Sequence, residues 1–177
     1  MEGYKMKERF SKVYKECRDP VYGYLLYMTK DVPLAEDLSQ ETFLKIFLGL
    51  RRFRGESTVK TWALTVARNT FLSYAKKKKP ILLGEQELEQ STEQQELPED
   101  YMLRKEQGIL IREVLMALDE RDRTVLILRD YEGLSYEEAA GVLGIEEGAL
   151  KSRLYRARQR FRRLYALRTG DLPEGGI

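Results

Sequence analysis

The 177-residue sequence contains no histidine and a single cysteine, Cys17. Without histidine, the usual imidazole base and the commonest zinc ligand are both gone. One cysteine cannot close an intrachain disulfide, and a reducing cytosol suits such a chain. No run approaches the roughly 18 apolar residues of a membrane span, and the amino-terminal Met-Glu-Gly-Tyr-Lys-Met-Lys leads into no apolar signal core. These absences predict a cytoplasmic protein. A G-x-x-x-x-G-K phosphate loop is missing too, and the carboxylates form no credible metal set. No catalytic residue, metal, cofactor or small-molecule substrate is therefore expected.

What the chain does have is charge, at 34% of residues, beside 42% apolar residues, enough to bury a core. The formal net charge of +2 hides a segregation. Residues 1–83 carry 17 Lys/Arg against 9 Asp/Glu, residues 84–106 carry 2 against 8, and residues 107–177 carry 12 of each. Within the last part, residues 148–170 hold eight basic side chains and no acidic one. Such blocks suggest two polyanion-binding surfaces separated by an acidic spacer.

Three sections follow from periodicity and breakers. Residues 1–80 show helical spacing, closed by the lysine run 76–79 and Pro80, which cannot continue a helix. Residues 81–103 are polar and acidic without a sustained apolar stripe, and read as a linker, either a solvated surface loop or a flexible spacer. Helical periodicity resumes for residues 104–168, and the glycine-rich 169–177 reads as a frayed tail. No strand-like alternation persists. The expected fold is all-α: two small helical domains joined by an acidic linker, the second containing a helix-turn-helix.

The clearest signal lies between residues 134 and 153. Ser135 followed by Glu138 makes a capping box, in which hydroxyl and carboxylate each satisfy an orphan donor of the first turn. Ala139, Ala140 and Leu143 give a short helix a buried side, and Gly144 supplies the left-handed residue that ends it. Glu146 and Glu147 suit the positive end of the next helix. There Leu150, Leu154, Ala157, Phe161 and Leu164 form the buried stripe, while Lys151, Ser152, Tyr155, Arg156 and Gln159 share another side. Cationic, hydroxyl and aromatic groups presented outward on a helix are what major-groove reading needs. Arg158, Arg160, Arg162 and Arg163 suit phosphates, which position a protein without specifying a sequence.

A second pattern occupies residues 34–48. Leu34, Ala35, Leu38, Thr42 and Ile46 fall on one side of a helical wheel. Away from them lie Glu36, Asp37, Gln40 and Glu41, interleaved with Leu44, Phe47 and Leu48, with Phe43 at the border. Either both sides pack within the domain, or the mixed side receives another protein.

These patterns carry a resemblance. The stretch Asp31-Val-Pro-Leu-Ala-Glu-Asp-Leu-Ser-Gln-Glu-Thr-Phe-Leu-Lys45 resembles the second conserved region of extracytoplasmic-function sigma factors of RNA polymerase. Phe53-Arg-Gly-Glu-Ser-Thr-Val-Lys-Thr-Trp62, continuing through Val66-Ala-Arg-Asn-Thr70, is similar to the rest of that domain. Residues 118–158, with Tyr131-Glu-Gly-Leu-Ser-Tyr-Glu-Glu138 and Lys151-Ser-Arg-Leu-Tyr-Arg-Ala-Arg158, resemble the fourth region.

The resemblance implies a promoter-directing subunit that is not an enzyme. Asp37, Gln40, Glu41 and Phe43, with Leu44 beside them, match the face that docks on the clamp helices of the polymerase β′ subunit. Residues 51–79 match the part that captures the unpaired −10 strand, with Arg54, Lys60, Arg68, Asn69, Lys76 and Lys77 as candidate contacts. Trp62 and Phe71 are better explained as core than as base-stacking platforms. Lys151, Ser152, Tyr155, Arg156 and Arg158 match the readers of the −35 element. The implied partners are core RNA polymerase (β′ clamp helices and β flap), promoter DNA and a membrane-anchored anti-sigma factor. Asp119 departs from the family's common proline, and Leu64, Thr65 and Ser73 depart within the −10-reading segment, so its base preference does not transfer. The alternative is a stand-alone helix-turn-helix regulator, which would need a dimer interface and a palindromic site.

Overall fold

The computed structural model describes residues 2–78 and 106–170. The predicted linker 81–103, together with Lys79 and residues 171–177 of the predicted tail, lies outside them. The chain divides into two units, Met1–Glu96 and Leu97–Ile177. Every regular element among the described residues is helical. The all-α expectation holds.

Unit 1 is a three-helix bundle of α1 (Glu2–Thr29), α2 (Val32–Gly49) and α3 (Val59–Lys78), each packing on the other two. The helix α1 runs on through Pro20. It ends in a tight turn: Lys30 takes φ 58°, and its N–H returns to the Leu26 carbonyl at 2.9 Å. Asp31 then caps α2, accepting from the Leu34 N–H at 2.8 Å, and Pro33 fills a first-turn position where a missing N–H does no harm. Val21, Tyr24, Leu25, Ile46, Leu50 and Leu64 are fully buried where the helices meet. At the end of α2, Gly49 lets the Trp62 ring approach closely, since an added Cβ would lie 3.2 Å from it.

Unit 2 contains α4 (Glu106–Ala117), α5 (Glu120–Leu126), a π-helical turn (Ile127–Tyr131), α6 (Tyr136–Leu143) and α7 (Glu147–Thr169). The long α7 packs on α4, α5 and α6. Val114, Val125, Ile127, Leu128, Leu150 and Leu154 form the core. Arg123, buried in α5, donates to the carbonyls of Leu115 at 3.0 Å, Met116 at 3.2 Å and Leu118 at 2.5 Å, and so satisfies the orphan acceptors at the end of α4. Asp119, the departure from proline, caps α5 by accepting from the Asp122 N–H at 2.8 Å. An aspartate cap and a proline both favour starting a helix there, by different means.

The capping box is formed as expected, with Glu138 N–H to Ser135 Oγ at 3.0 Å and Ser135 N–H to Glu138 Oε2 at 2.8 Å. Gly144 sits at φ 65°, ψ 38°, a left-handed conformation that a Cβ disfavours. Three expectations about burial need adjustment: Leu34, Phe161 and Leu164 are half-buried, not sealed in the core. Leu34 stands in the first turn of α2, while Phe161 borders an open groove described below.

Candidate functional surfaces

At about 100° per residue, Asp37, Gln40, Glu41, Leu44, Phe47 and Leu48 fall within roughly 120° on α2, opposite Ala35, Leu38, Thr42 and Ile46. The second group is buried. In the first, Leu44 is 60% exposed, Leu48 68% and Phe47 38%. Leu44 and Leu48 of the mixed side are thus not packed within the unit. Phe47, the aromatic of this side, leans edge-on against Phe10 with ring centroids 5.2 Å apart. Glu41 bridges to Lys45 at 2.7 Å.

Phe43 must be corrected. It is only 8% exposed, and its ring lies against Tyr14 at 4.8 Å and Phe10 at 6.5 Å. On the wheel it sits about 120° from Asp37, on the flank that faces α1. It supports that side of α2 from beneath and does not belong to its exposed surface.

On α3, Asn69 and Lys76 are seven residues apart and share one exposed stripe with Ser73. Lys77 is also exposed but about 100° away around the helix. Lys60 and Arg68 are half-buried, Lys60 in the first turn over the buried side. Arg54 is exposed in the connection before Gly55, which turns at φ 76°. The structure thus brings Asn69 and Lys76 together and sets Lys60 and Lys77 apart from them. Phe71 is core at 7% exposure, and Trp62 stacks on Phe53 with centroids 4.6 Å apart. The core reading holds for Phe71, whereas Trp62 is half-buried, with Phe53 on one face. Leu64 is fully buried, and Thr65 Oγ1 donates to the Thr61 carbonyl, so both departures have structural duties.

On α7, Ser152, Tyr155, Arg156 and Gln159 are exposed on one side, Tyr155 at 67%. Lys151 is exposed at the edge, hydrogen-bonded to Glu147 at 2.5 Å, which raises its pKa, and lies 5.2 Å from the Tyr136 ring. Arg158 is the second correction. Its Nε donates to Asp130 at 2.9 Å and its Nη2 at 2.5 Å, a two-pronged pair that raises the guanidinium pKa. The residue lies about 40° from Leu154 around the helix, on the flank of the buried stripe, and its fork turns toward the π-turn. Arg160 is similarly tied to Asp122 and Asp119.

Two features escaped sequence reasoning. Tyr136, the first residue of α6, carries two cations on its ring, Arg129 at 4.4 Å and Lys151 at 5.2 Å. Beside Arg158 opens an apolar groove of about 550 Å³ lined chiefly by Ile111, Leu115, Leu126, Ile127, Tyr131 and Phe161. Burial there raises the Tyr131 pKa. A capping residue next to Tyr136 was the only sequence hint of the first; the groove joins residues far apart in the chain and left none.

Comparison with known proteins gives a consistent result. The model for sigma-70 region 2 matches residues 13–81, and that for sigma-70 region 4 matches residues 109–161. RNA polymerase sigma factor YlaC of Bacillus subtilis is 34% identical over 158 residues, covering 87% of this chain and 90% of that protein. ECF RNA polymerase sigma factor SigM of the same organism is 36% identical, covering 87% and 93%. Among solved structures, the sigma factor RpoE in complex with the anti-sigma factor NepR from Bartonella quintana has a TM-score of 0.69 at 26% identity, covering 89% of this chain and 96% of that one.

Proposed function

Because this chain belongs to the extracytoplasmic-function sigma factors of RNA polymerase, and so directs polymerase to promoters without catalysis of its own, we propose how its surfaces divide that work. Residues 1–80 grip core polymerase and the melted −10 strand, residues 104–168 hold the −35 duplex, and the acidic 81–103 joins them. The observation that carries this reading is the exposed stripe of α2. Leu44 and Leu48 stand in water among Asp37, Gln40 and Glu41. Large apolar groups ringed by polar ones mark a protein interface. We assign that stripe to the β′ clamp helices, and the apolar groove of unit 2 to the β flap.

The α3 stripe with Asn69 and Lys76, approached through Arg54, suits an unpaired strand: cations follow the backbone while an amide reads a base edge. Strand opening needs no covalent step. Bases held unpaired shift the duplex equilibrium by their binding free energy. On α7, Ser152, Tyr155 and Arg156 are the base readers and Lys151 stands at the groove's edge, while Arg158 braces the helix against Asp130. A related sigma factor was solved with an anti-sigma factor, and an inhibitor of this chemistry is the expected regulator here. Among the described residues no helix is long and apolar enough to cross a membrane. We assign the protein to the cytoplasm because its proposed partner is core polymerase, and it reaches the membrane through a membrane-anchored inhibitor.

Reconstituted transcription with purified core polymerase and a genomic promoter library tests the reading. Initiation at sites sharing −10 and −35 elements is expected. Binding of a palindrome as a dimer, with no stimulation of core polymerase, would establish the stand-alone regulator instead.

A further inference from the structure

One basic concavity of unit 1 has no part in the surfaces above. It measures about 370 Å³ and is lined by Lys5, Met6, Arg9 and Arg51. Lys5 and Arg9 stand one turn apart on α1, and Arg51 begins the connection between α2 and α3. All three cations are exposed, and Met6 is half-buried beside them. Arg9 reaches toward that connection, its Nη2 3.5 Å from the Phe53 carbonyl, at the outer limit of a hydrogen bond.

Like charges lining one small space repel. The fold does not answer with a carboxylate: among the described residues, none pairs with Lys5, Arg9 or Arg51. Glu8, the neighbouring acid on α1, bridges instead to Lys12 at 3.3 Å. On α7, Lys151, Arg158 and Arg160 each have a carboxylate of their own. Among the described residues, three cations thus face one small space with no carboxylate bound to them.

We propose that Lys5, Arg9 and Arg51 form a cradle for a backbone phosphate of the unpaired promoter strand. The inference rests on the reading of α3 as the strand-capturing helix. Arg51 opens a run of cations that continues through Arg52 and Arg54 to the start of α3, so one strand can follow them from α3 to the cradle. Guanidinium forks match phosphate oxygens. Phosphate contacts position a strand without choosing its sequence.

The test uses holoenzyme assembled from the full chain and core polymerase, bound to a promoter fragment with a preformed bubble across a salt series. For Lys5→Ala/Arg9→Ala, the slope of log affinity against log salt should shrink by about 0.7 for each single-strand phosphate left without its cation, and affinity should fall several-fold whatever the bubble sequence. Arg9→Lys, which keeps the charge, should recover most of the slope. Lys76→Ala/Lys77→Ala is measured in parallel. If it weakens bubble binding while the α1 double variant matches wild type, the cradle is wrong and the α3 reading stands. If neither variant has an effect, the α3 reading fails as well. Inorganic phosphate, compared with chloride at equal ionic strength, separates the sources: it should inhibit bubble binding by wild type more than by the α1 double variant, whereas phosphate bound by wild type with bubble affinity unchanged would make the site one for a small anion and overturn the strand assignment. Weaker affinity for core polymerase, with the salt slope unchanged, would overturn it in favour of a protein interface.

Discussion

The helices α2 and α7 are both amphipathic, and both leave one side in solvent, yet the two sides are built differently. On α2 the outward side keeps large apolar groups, Leu44 and Leu48, among carboxylates. On α7 it keeps hydroxyls, an amide and arginine, and the flanking cations are held by Glu147, Asp130 and Asp122. A surface for another protein gains from desolvating apolar area, whereas one for DNA gains from charge and oriented donors. Tying Lys151 in place also spares part of the ordering entropy that a long side chain loses on binding. The contrast teaches which residues of each helix serve a partner and which serve the fold.

The largest effect should separate inward from outward leucines. Leu154→Ala, at the core of unit 2, should destabilise that unit by about 2–5 kcal/mol in denaturant melts. Leu48→Ala on α2 should change stability by less than about 0.5 kcal/mol while weakening the complex with core polymerase. Equal stability losses would erase the distinction between the two helices. Next, Leu44→Asp/Leu48→Asp should cost polymerase affinity about 2 kcal/mol or more, read by competition for core enzyme, if the stripe contains the interface hot spot.

On α7 the comparison is between neighbours. Arg156→Ala should cost about 1–3 kcal/mol in binding a −35 duplex and relax preference at one base pair. Arg158→Ala should leave base preference intact, and its effect should appear in thermal stability because Asp130 remains unpaired. A changed base preference in the second variant would return Arg158 to the reading face. Smaller still, Ser135→Ala removes the capping hydroxyl and should cost about 1 kcal/mol of unit 2 stability. Glu147→Gln is the mildest change: it should bring the Lys151 pKa down toward its ordinary value, measurable by NMR titration, because the hydrogen-bonded carboxylate that raises it is gone.

Much of this was legible in the sequence, for reasons particular to certain residues. Ser135, Glu138 and Gly144 act within one turn of themselves, and local chemistry fixes where α6 starts and stops. The two sides of α2 follow from spacing alone once the segment is helical. What spacing cannot decide is the fate of residues on the border between sides. Phe43 and Arg158 each lie on a flank, and the turn inward depends on Phe10 and Tyr14 in one case and Asp130 in the other, partners 28 or more positions away for the rings and the arginine alike. The π-turn at Ile127–Tyr131 and the groove beside Phe161 are likewise tertiary products. So is the meeting of Lys5 and Arg9 with Arg51, which no linear pattern announces.

The most direct test of the central claim, that the two helices serve different partners, measures both activities on the same proteins. Full-length Asp37→Lys/Glu41→Lys and Arg156→Ala variants are each assayed for affinity to core polymerase and, as holoenzyme at saturating core, for −35 preference. The account predicts that the α2 variant loses polymerase affinity with −35 preference unchanged, and that the α7 variant does the reverse. A polymerase affinity untouched by two charge reversals on α2, or reduced equally in both variants, would contradict it.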